Sequence, residues 1–240
     1  MSDIDDDDYT PQLSAATLAV LQQHMREQTE QQERFEKLRQ LAEEKFDAVN
    51  AEEVDEKITM EYFTEDWQMS QFWYDDETAG KLASEIFEQA SESDVVCCIS
   101  SPTAYVTAMA DDRAKGRKNN MFLFEFDTRF DVYGRQFIHY DYNKPTDFRL
   151  ATELEGKVDM IVVDPPFLSE ECLEKTLDTV KYLLKPNGKL ILCTGLVMAK
   201  LATTRMPGLK ITDFHPGHRN GLSNDFRCYA NYDSKRWTRQ

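Results

Sequence analysis

The sequence is poor in the features that carry a chain into or across a membrane. Its longest uninterrupted apolar run is Val95-Val96-Cys97-Cys98-Ile99, far short of the ~20 residues that a spanning helix needs. The start, Met1-Ser2-Asp3-Ile4-Asp5, has neither the basic residues nor the apolar stretch of a secretory leader. No membrane association is expected, and the cytoplasm is the expected compartment. Cysteine is scarce as well: Cys97, Cys98, Cys172, Cys193 and Cys228 are an odd number without a C-x-x-C pair. That argues against a disulfide framework and a thiolate metal site. Four of the five lie in apolar strand-like runs and read as reduced core thiols; no metal is expected. Positive charge is the third shortage, with 28 Lys plus Arg against 44 Asp plus Glu and a net charge of −16. Such a balance argues against a surface that grips nucleic acid by its phosphates.

What is present is a 240-residue chain, 41% apolar and 30% charged, enough for one domain with an extension. The charge is uneven: residues 1–66 hold 19 acids and 6 bases, residues 67–240 hold 25 and 22. The argument against nucleic acid therefore weakens for the later segment, which is nearly balanced. The first segment has no glycine and one proline. Residues 1–12, with Asp5 to Asp8, read as a disordered acidic tail of self-repelling carboxylates. Residues 13–60 read as a helical acidic extension, because Leu18, Leu21 and Met25, then Phe35, Leu38, Ala42, Phe46 and Val49, follow a helical stripe. Docking on the domain, or a loose solvated helix, is favoured over a dedicated partner site.

Residues 61–240 read as one α/β domain. Short β-rich runs occur at 95–99, 121–126, 137–142, 158–163, 189–194, 209–214 and 227–232, and helical stretches separate most of them. Asp75 to Glu77, Ser101-Pro102 and Ser169 look like helix starts, and Lys185-Pro186-Asn187-Gly188 like a helix stop. The pattern predicts a Rossmann-like seven-stranded sheet, mostly parallel, with an antiparallel final hairpin.

Ligands of such sheets sit at the carboxyl ends of the strands. The first strand exits into Ser100-Ser101-Pro102 and a helix N-terminus suited to a carboxylate. No G-x-G-x-x-G occurs there, which argues against a nicotinamide or flavin enzyme. The second strand ends in Glu125-Phe126-Asp127; both acids share a face, and the terminal position favours Asp127 as the acceptor for ribose hydroxyls. The fourth strand gives the strongest signal, Val158 through Asp164-Pro165-Pro166-Phe167. Two prolines stiffen the backbone and supply no N–H, so a carboxylate, a free carbonyl and an aromatic face converge. That set suits a substrate –NH2, which donates two hydrogen bonds while its lone pair points at an electrophile.

Asp164-Pro165-Pro166-Phe167 matches the [D/N]-P-P-[Y/F/W] motif of class I S-adenosylmethionine-dependent methyltransferases that modify nitrogen. Further blocks follow in order: Trp67 to Tyr74, Phe124 to Phe130, Tyr140 to Asn143, Asp164 to Cys172, and Asn224 to Tyr229. Together they resemble the eukaryotic elongation factor 1-alpha lysine methyltransferases, once classed as putative N6-adenine DNA methyltransferases. The resemblance implies S-adenosyl-L-methionine as cofactor and elongation factor 1-alpha as protein substrate; a monomer is expected. It implies that Ser100, Ser101 and Pro102 meet the cofactor's methionine end. Glu125 and Asp127 lie on its ribose side, with Asp127 as the ribose ligand, and Asp141 with Tyr142 flank its adenine. Asp164, Pro165, Pro166 and Phe167 would hold the lysine amine, Asp164 also bordering the cofactor. Phe72, Trp73 and Tyr74 would cover the cofactor or line a lysine channel; packing of three large rings in the core explains them equally well. Phe167 stands where several relatives carry tyrosine, so no hydroxyl contact is expected there. Residues 28–59 look longer than in animal members. The implied reaction is in-line attack of a neutral amine on the sulfonium methyl, with Asp164 an orienter more than a strong base. Two alternatives stay open, an N6-adenine methyltransferase using the same motif and a cofactor-binding scaffold without catalysis.

Overall fold

Branched and aromatic residues concentrate in short runs that pair into a single seven-stranded sheet. The computed structural model describes residues 14–47, 58–66, 69–117, 120–222 and 224–240. The strands are β1 (Val96–Ile99), β2 (Met121–Glu125), β3 (Phe137–His139), β4 (Val158–Val163), β5 (Leu184–Gly195), β6 (Lys210–Ile211) and β7 (Phe226–Ala230). They lie in the order β3-β2-β1-β4-β5-β7-β6. The first five are parallel, and β7 runs antiparallel to both β5 and β6. This is the mostly parallel α/β sheet with antiparallel end strands that the sequence predicts.

Helices cover both faces, so the strand side chains are buried on both sides. Met160 and Val162 of β4 join one core with Leu82 and Ile86 of α2 (Asp76–Gln89) and Tyr105 of α3 (Pro102–Met109). Ile161 and Val163 alternate into the other core, with Leu154 of α4 (Ala151–Leu154), Leu177 of α5 (Glu170–Leu183) and Ala202 of α6 (Ala199–Arg205). Asp75 caps α2 by accepting from the Thr78 N–H at 2.7 Å, and Ser169 caps α5 by accepting from Cys172 at 3.2 Å. All five cysteines are buried and free. No helix among the described residues is long and apolar enough to cross a membrane.

Three strands depart most from the expected bounds. Lys185 to Gly188, expected to stop the preceding helix, lies inside the span of β5, which Leu184 opens. Leu184 pairs with Val158 and Lys189 with Met160, so the four residues bulge out opposite Asp159. The proline has no N–H to give the ladder, and a bulge accommodates that loss. β6 has two residues instead of six, because beyond Ile211 the ladder breaks into isolated bonds such as Thr212 N–H to the Cys228 carbonyl at 2.9 Å. β3 ends at His139; the Tyr140 N–H still donates to the Glu125 carbonyl at 3.0 Å, and the chain then turns from Tyr142.

A long helix, α1 (Ala15–Asp47), precedes the sheet. Leu18, Leu21 and Met25 are exposed on it, whereas Phe35 meets Phe63 edge-on with centroids 5.8 Å apart. The acidic stretch 1–12, and Val49 of the expected stripe, lie outside the described residues.

Candidate active site

The strand order reverses between β1 and β4, and the exits of these neighbours open a cavity of about 390 Å³. That volume falls in the range of small-molecule sites. Ile99 pairs with Val163, so Ser100 and Asp164 leave the sheet side by side. Ser100 turns with a left-handed φ of 48°, a conformation that costs a non-glycine residue roughly 1 kcal/mol. Ser101 precedes α3 but does not cap it: its hydroxyl makes no cap bond, and its Oγ is buried without a partner among the described residues. The expected N-cap is thus corrected to an orphaned polar group beside the free N–H groups of a helix start. Ser100, Ser101, Pro102 and Thr103 all line the cavity.

At the β2 exit the two acids separate. Glu125 lines the cavity, and its Oε1 accepts from the N–H groups of Phe126 at 2.9 Å and Asp127 at 3.2 Å. Burial pushes its carboxyl up to about 7; the bonded Asp127 N–H opposes that rise and the Asp127 charge adds to it. Asp127 is not among the residues that line the cavity. It is 4% exposed and accepts from Gln71 Nε2 at 2.8 Å and from Arg129 Nη2 at 2.6 Å. Strand alternation does put both acids on one side, but the chain turns at Phe126. The Asp127 carboxylate is then used up as the anchor of Arg129 and Gln71. Of the two acids expected on the ribose side, Glu125 faces the cavity and Asp127 does not.

The β3 exit brings Tyr140, Asp141, Tyr142 and Asn143 to the cavity. Asp141 steadies its own turn by accepting from the Asn143 N–H at 2.9 Å. Tyr142 meets Phe167 edge-on at 5.9 Å, so the third and fourth exits share one aromatic edge. Asp164, Pro165, Pro166 and Phe167 line the same cavity; Pro165 is buried and Phe167 is 41% exposed at the rim. Burial raises the Asp164 carboxyl to about 7, the Tyr74 hydrogen bond pulls it down, and the Glu125 charge pushes it further up.

All three residues of the aromatic block line the cavity, at different depths. Trp73 also packs into the core: its Nε1 donates to the Phe63 carbonyl at 3.0 Å and its ring meets Phe130. Phe72 is 38% exposed on the cavity wall, and Tyr74 is buried with its hydroxyl donating to Asp164 Oδ2 at 2.5 Å. His218, Leu222 and Phe226, which the sequence did not point to as site residues, also line the cavity. Phe226 lay within a recognised block, but no spacing rule links the 215–222 loop to the strand exits. Burial holds His218 below the ordinary histidine value. No group of three His, Cys, Asp or Glu side chains among the described residues is placed to hold a metal ion.

Residues 65–234 match a family model described as "Probable N6-adenine methyltransferase". Protein-lysine N-methyltransferase EFM5 of Saccharomyces cerevisiae is 43% identical over 238 residues, covering 94% of this chain and 93% of its own. EEF1A lysine methyltransferase 1 of Homo sapiens is 43% identical over 237 residues, 98% of this chain and 97% of its own. Protein-lysine N-methyltransferase M142.8 of Caenorhabditis elegans is 42% identical over 240 residues, 98% of each chain. Similarity at this level, sustained nearly end to end, means that the chain belongs to the EEF1A lysine methyltransferase family.

Proposed function

We propose that this protein transfers a methyl group from S-adenosyl-L-methionine to a lysine amine of translation elongation factor 1-alpha. The observation that carries the reading is Asp164, a half-buried carboxylate at the topological switch with an aromatic rim beside it. The residues present fit the cofactor. The orphaned Ser101 Oγ and the first N–H groups of α3 suit its carboxylate. Glu125 suits the ribose hydroxyls, and Asp141 with Tyr142 suits the adenine edge. When bound, S-adenosylmethionine supplies an electrophilic methyl group on a positively charged sulfur.

The chain's own residues then have one problem, the protonated lysine. Passing a proton from an amine of reference pKa ~10.4 to an ordinary aspartate costs roughly 9 kcal/mol. With the Asp164 carboxyl raised to about 7, the same transfer costs about 4–5 kcal/mol. Burial therefore makes Asp164 a better proton acceptor than the bare motif implies, as well as an orienting acceptor for the amine. Phe167 and Tyr142 supply a rim that strips water from the incoming side chain.

The test is incubation of the full chain with labelled cofactor and, in parallel, recombinant elongation factor 1-alpha and adenine-containing oligonucleotides. Label on a single lysine peptide of the factor, located by mass spectrometry, is the expected result. Label on adenine alone would replace the reading with nucleic-acid methylation, and cofactor binding without product would replace it with a scaffold.

The division at about residue 60 belongs to the same proposal: residues 61–240 catalyse, and the acidic extension steers the positively charged face of the substrate. Deleting residues 1–58 is expected to raise KM for the protein substrate several-fold at low salt, with unchanged cofactor affinity. The difference should fade above ~0.3 M salt as screening shortens the field. Loss of the Phe35–Phe63 edge contact should cost about 1 kcal/mol of stability. An unchanged KM at low salt would leave the extension without a steering role.

A further inference from the structure

Tyr74 lies 90 residues from Asp164 in sequence, yet its hydroxyl is the side-chain donor that reaches the Asp164 carboxylate. The segment carrying it is held from several directions. Tyr74 forms an antiparallel bridge with His218, the Arg219 N–H donates to the Trp73 carbonyl at 2.9 Å, and the Asp75 N–H donates to the Gly217 carbonyl at 3.0 Å. The Tyr74 ring lies 5.1 Å from the His218 ring and is 2% exposed. The next residue, Asp75, is the cap of α2. A phenol pinned in this way has little freedom to leave its acceptor.

The other ionisable groups around Asp164 give it no counter-charge. Glu125 approaches from β2, Cys193 from β5 and Cys172 from α5. None of these is cationic, burial holds the His218 imidazole beside Tyr74 below its ordinary value, and Tyr74 is the only side chain among the described residues that donates to the carboxylate. Burial and the neighbouring Asp164 charge raise the Tyr74 hydroxyl well above its ordinary value, so it remains a donor throughout the working pH range.

We propose that Tyr74 is a positioning residue for methyl transfer, fixing Asp164 through Oδ2 and sustaining its ionised form so that Oδ1 is free for the substrate ammonium. This rests on the lysine-methyltransferase reading above. In the step that results, the ammonium gives one proton to Asp164 Oδ1 and becomes a neutral amine, while the phenol keeps its own proton. The protonated Asp164 then releases that proton to water at the cavity mouth.

Tyr74→Phe keeps the ring and removes only the donor. The acid limb of kcat/KM for the elongation factor is expected to move about one pH unit upward, with roughly fivefold lower activity at pH 7 and near recovery at pH 9. Site-specific fluorotyrosine at position 74, a stronger donor on the same ring, is expected to move the limb downward, and it serves if the phenylalanine variant does not fold. A second readout does not depend on the substrate: carboxyl-carbon NMR of labelled aspartate should show Asp164 titrating at higher pH in Tyr74→Phe. An unmoved Asp164 titration, or a uniform loss of activity with an unshifted profile, would overturn the inference. A shifted titration in a protein that never methylates the elongation factor would instead overturn the substrate reading and leave the Tyr74 coupling standing.

Discussion

Replacing Asp164 by alanine is expected to lower the rate of methyl transfer by about 10³-fold while cofactor affinity changes less than about threefold. The asymmetry follows from where the side chain stands. Asp164 follows β4 directly, its N–H held by the Ile99 carbonyl at 3.1 Å. The two prolines after it leave few backbone alternatives. Its carboxylate therefore has a fixed site in the cavity, and the orphaned Ser101 Oγ and the Glu125 carboxylate remain for the cofactor. Truncation removes both the acceptor that orients the amine and the base that takes its proton. Asp164→Asn separates these contributions, because the amide keeps an acceptor oxygen and the Tyr74 hydrogen bond but holds no negative charge. A loss of about tenfold would assign Asp164 mainly to orientation, and a loss of about 10³-fold to proton acceptance. Single-turnover methyl transfer at saturating cofactor, beside calorimetric cofactor titration, reads both quantities. Retained single-turnover activity in the alanine variant would remove Asp164 from the chemistry altogether.

The sheet and the motif were legible because both are local patterns. Apolar runs such as Met160 to Val163 are short, and the helices between them carry recognisable starts at Asp75 and Ser169. Asp-Pro-Pro-Phe is four contiguous residues whose stiffness can be argued without a fold. The site's remaining wall was less accessible, since it is assembled from segments far apart in the chain. Tyr74 and His218 meet through one isolated bridge, and no periodicity marks either residue. Ser101 shows a different failure. A serine before proline at a helix start reads as a cap, but the backbone there bends through the left-handed Ser100, and the hydroxyl ends without a partner. Local rules give way where the chain is shaped for a ligand, so this mismatch is itself a pointer to the site.

Glu125 and Asp127 are expected to part company under substitution, although alternation treats them alike. Glu125→Gln should weaken cofactor binding by roughly 10- to 100-fold, the loss of charged hydrogen bonds to two ribose hydroxyls. The same change should stabilise the cofactor-free protein. The folded Glu125 carboxyl is raised to about 7 from an ordinary value near 4.5, so the fold favours its protonated form. That stability is fully present below about pH 4 and is lost as pH rises through 7. Glutamine keeps an oxygen for the Phe126 and Asp127 N–H groups and does not titrate. At pH 8 the variant should therefore gain about 3 kcal/mol, or roughly 10 °C in Tm for a chain of this size, and at pH 4 almost nothing. Removing the Glu125 charge also relieves the push on Asp164, so at saturating cofactor the acid limb of turnover should move to lower pH. Asp127→Asn should do the reverse. It strips the charge partner from Arg129, whose guanidinium contacts Asp127 at 2.6 Å and Gln71 at 2.9 Å, and costs about 2 kcal/mol at pH 7. Cofactor affinity measured below the lowered Tm should change only a few-fold. If Asp127→Asn abolished cofactor binding and left Tm unchanged, the ribose ligand would be Asp127 after all. The Arg129 anchor would then have to release it when the cofactor binds.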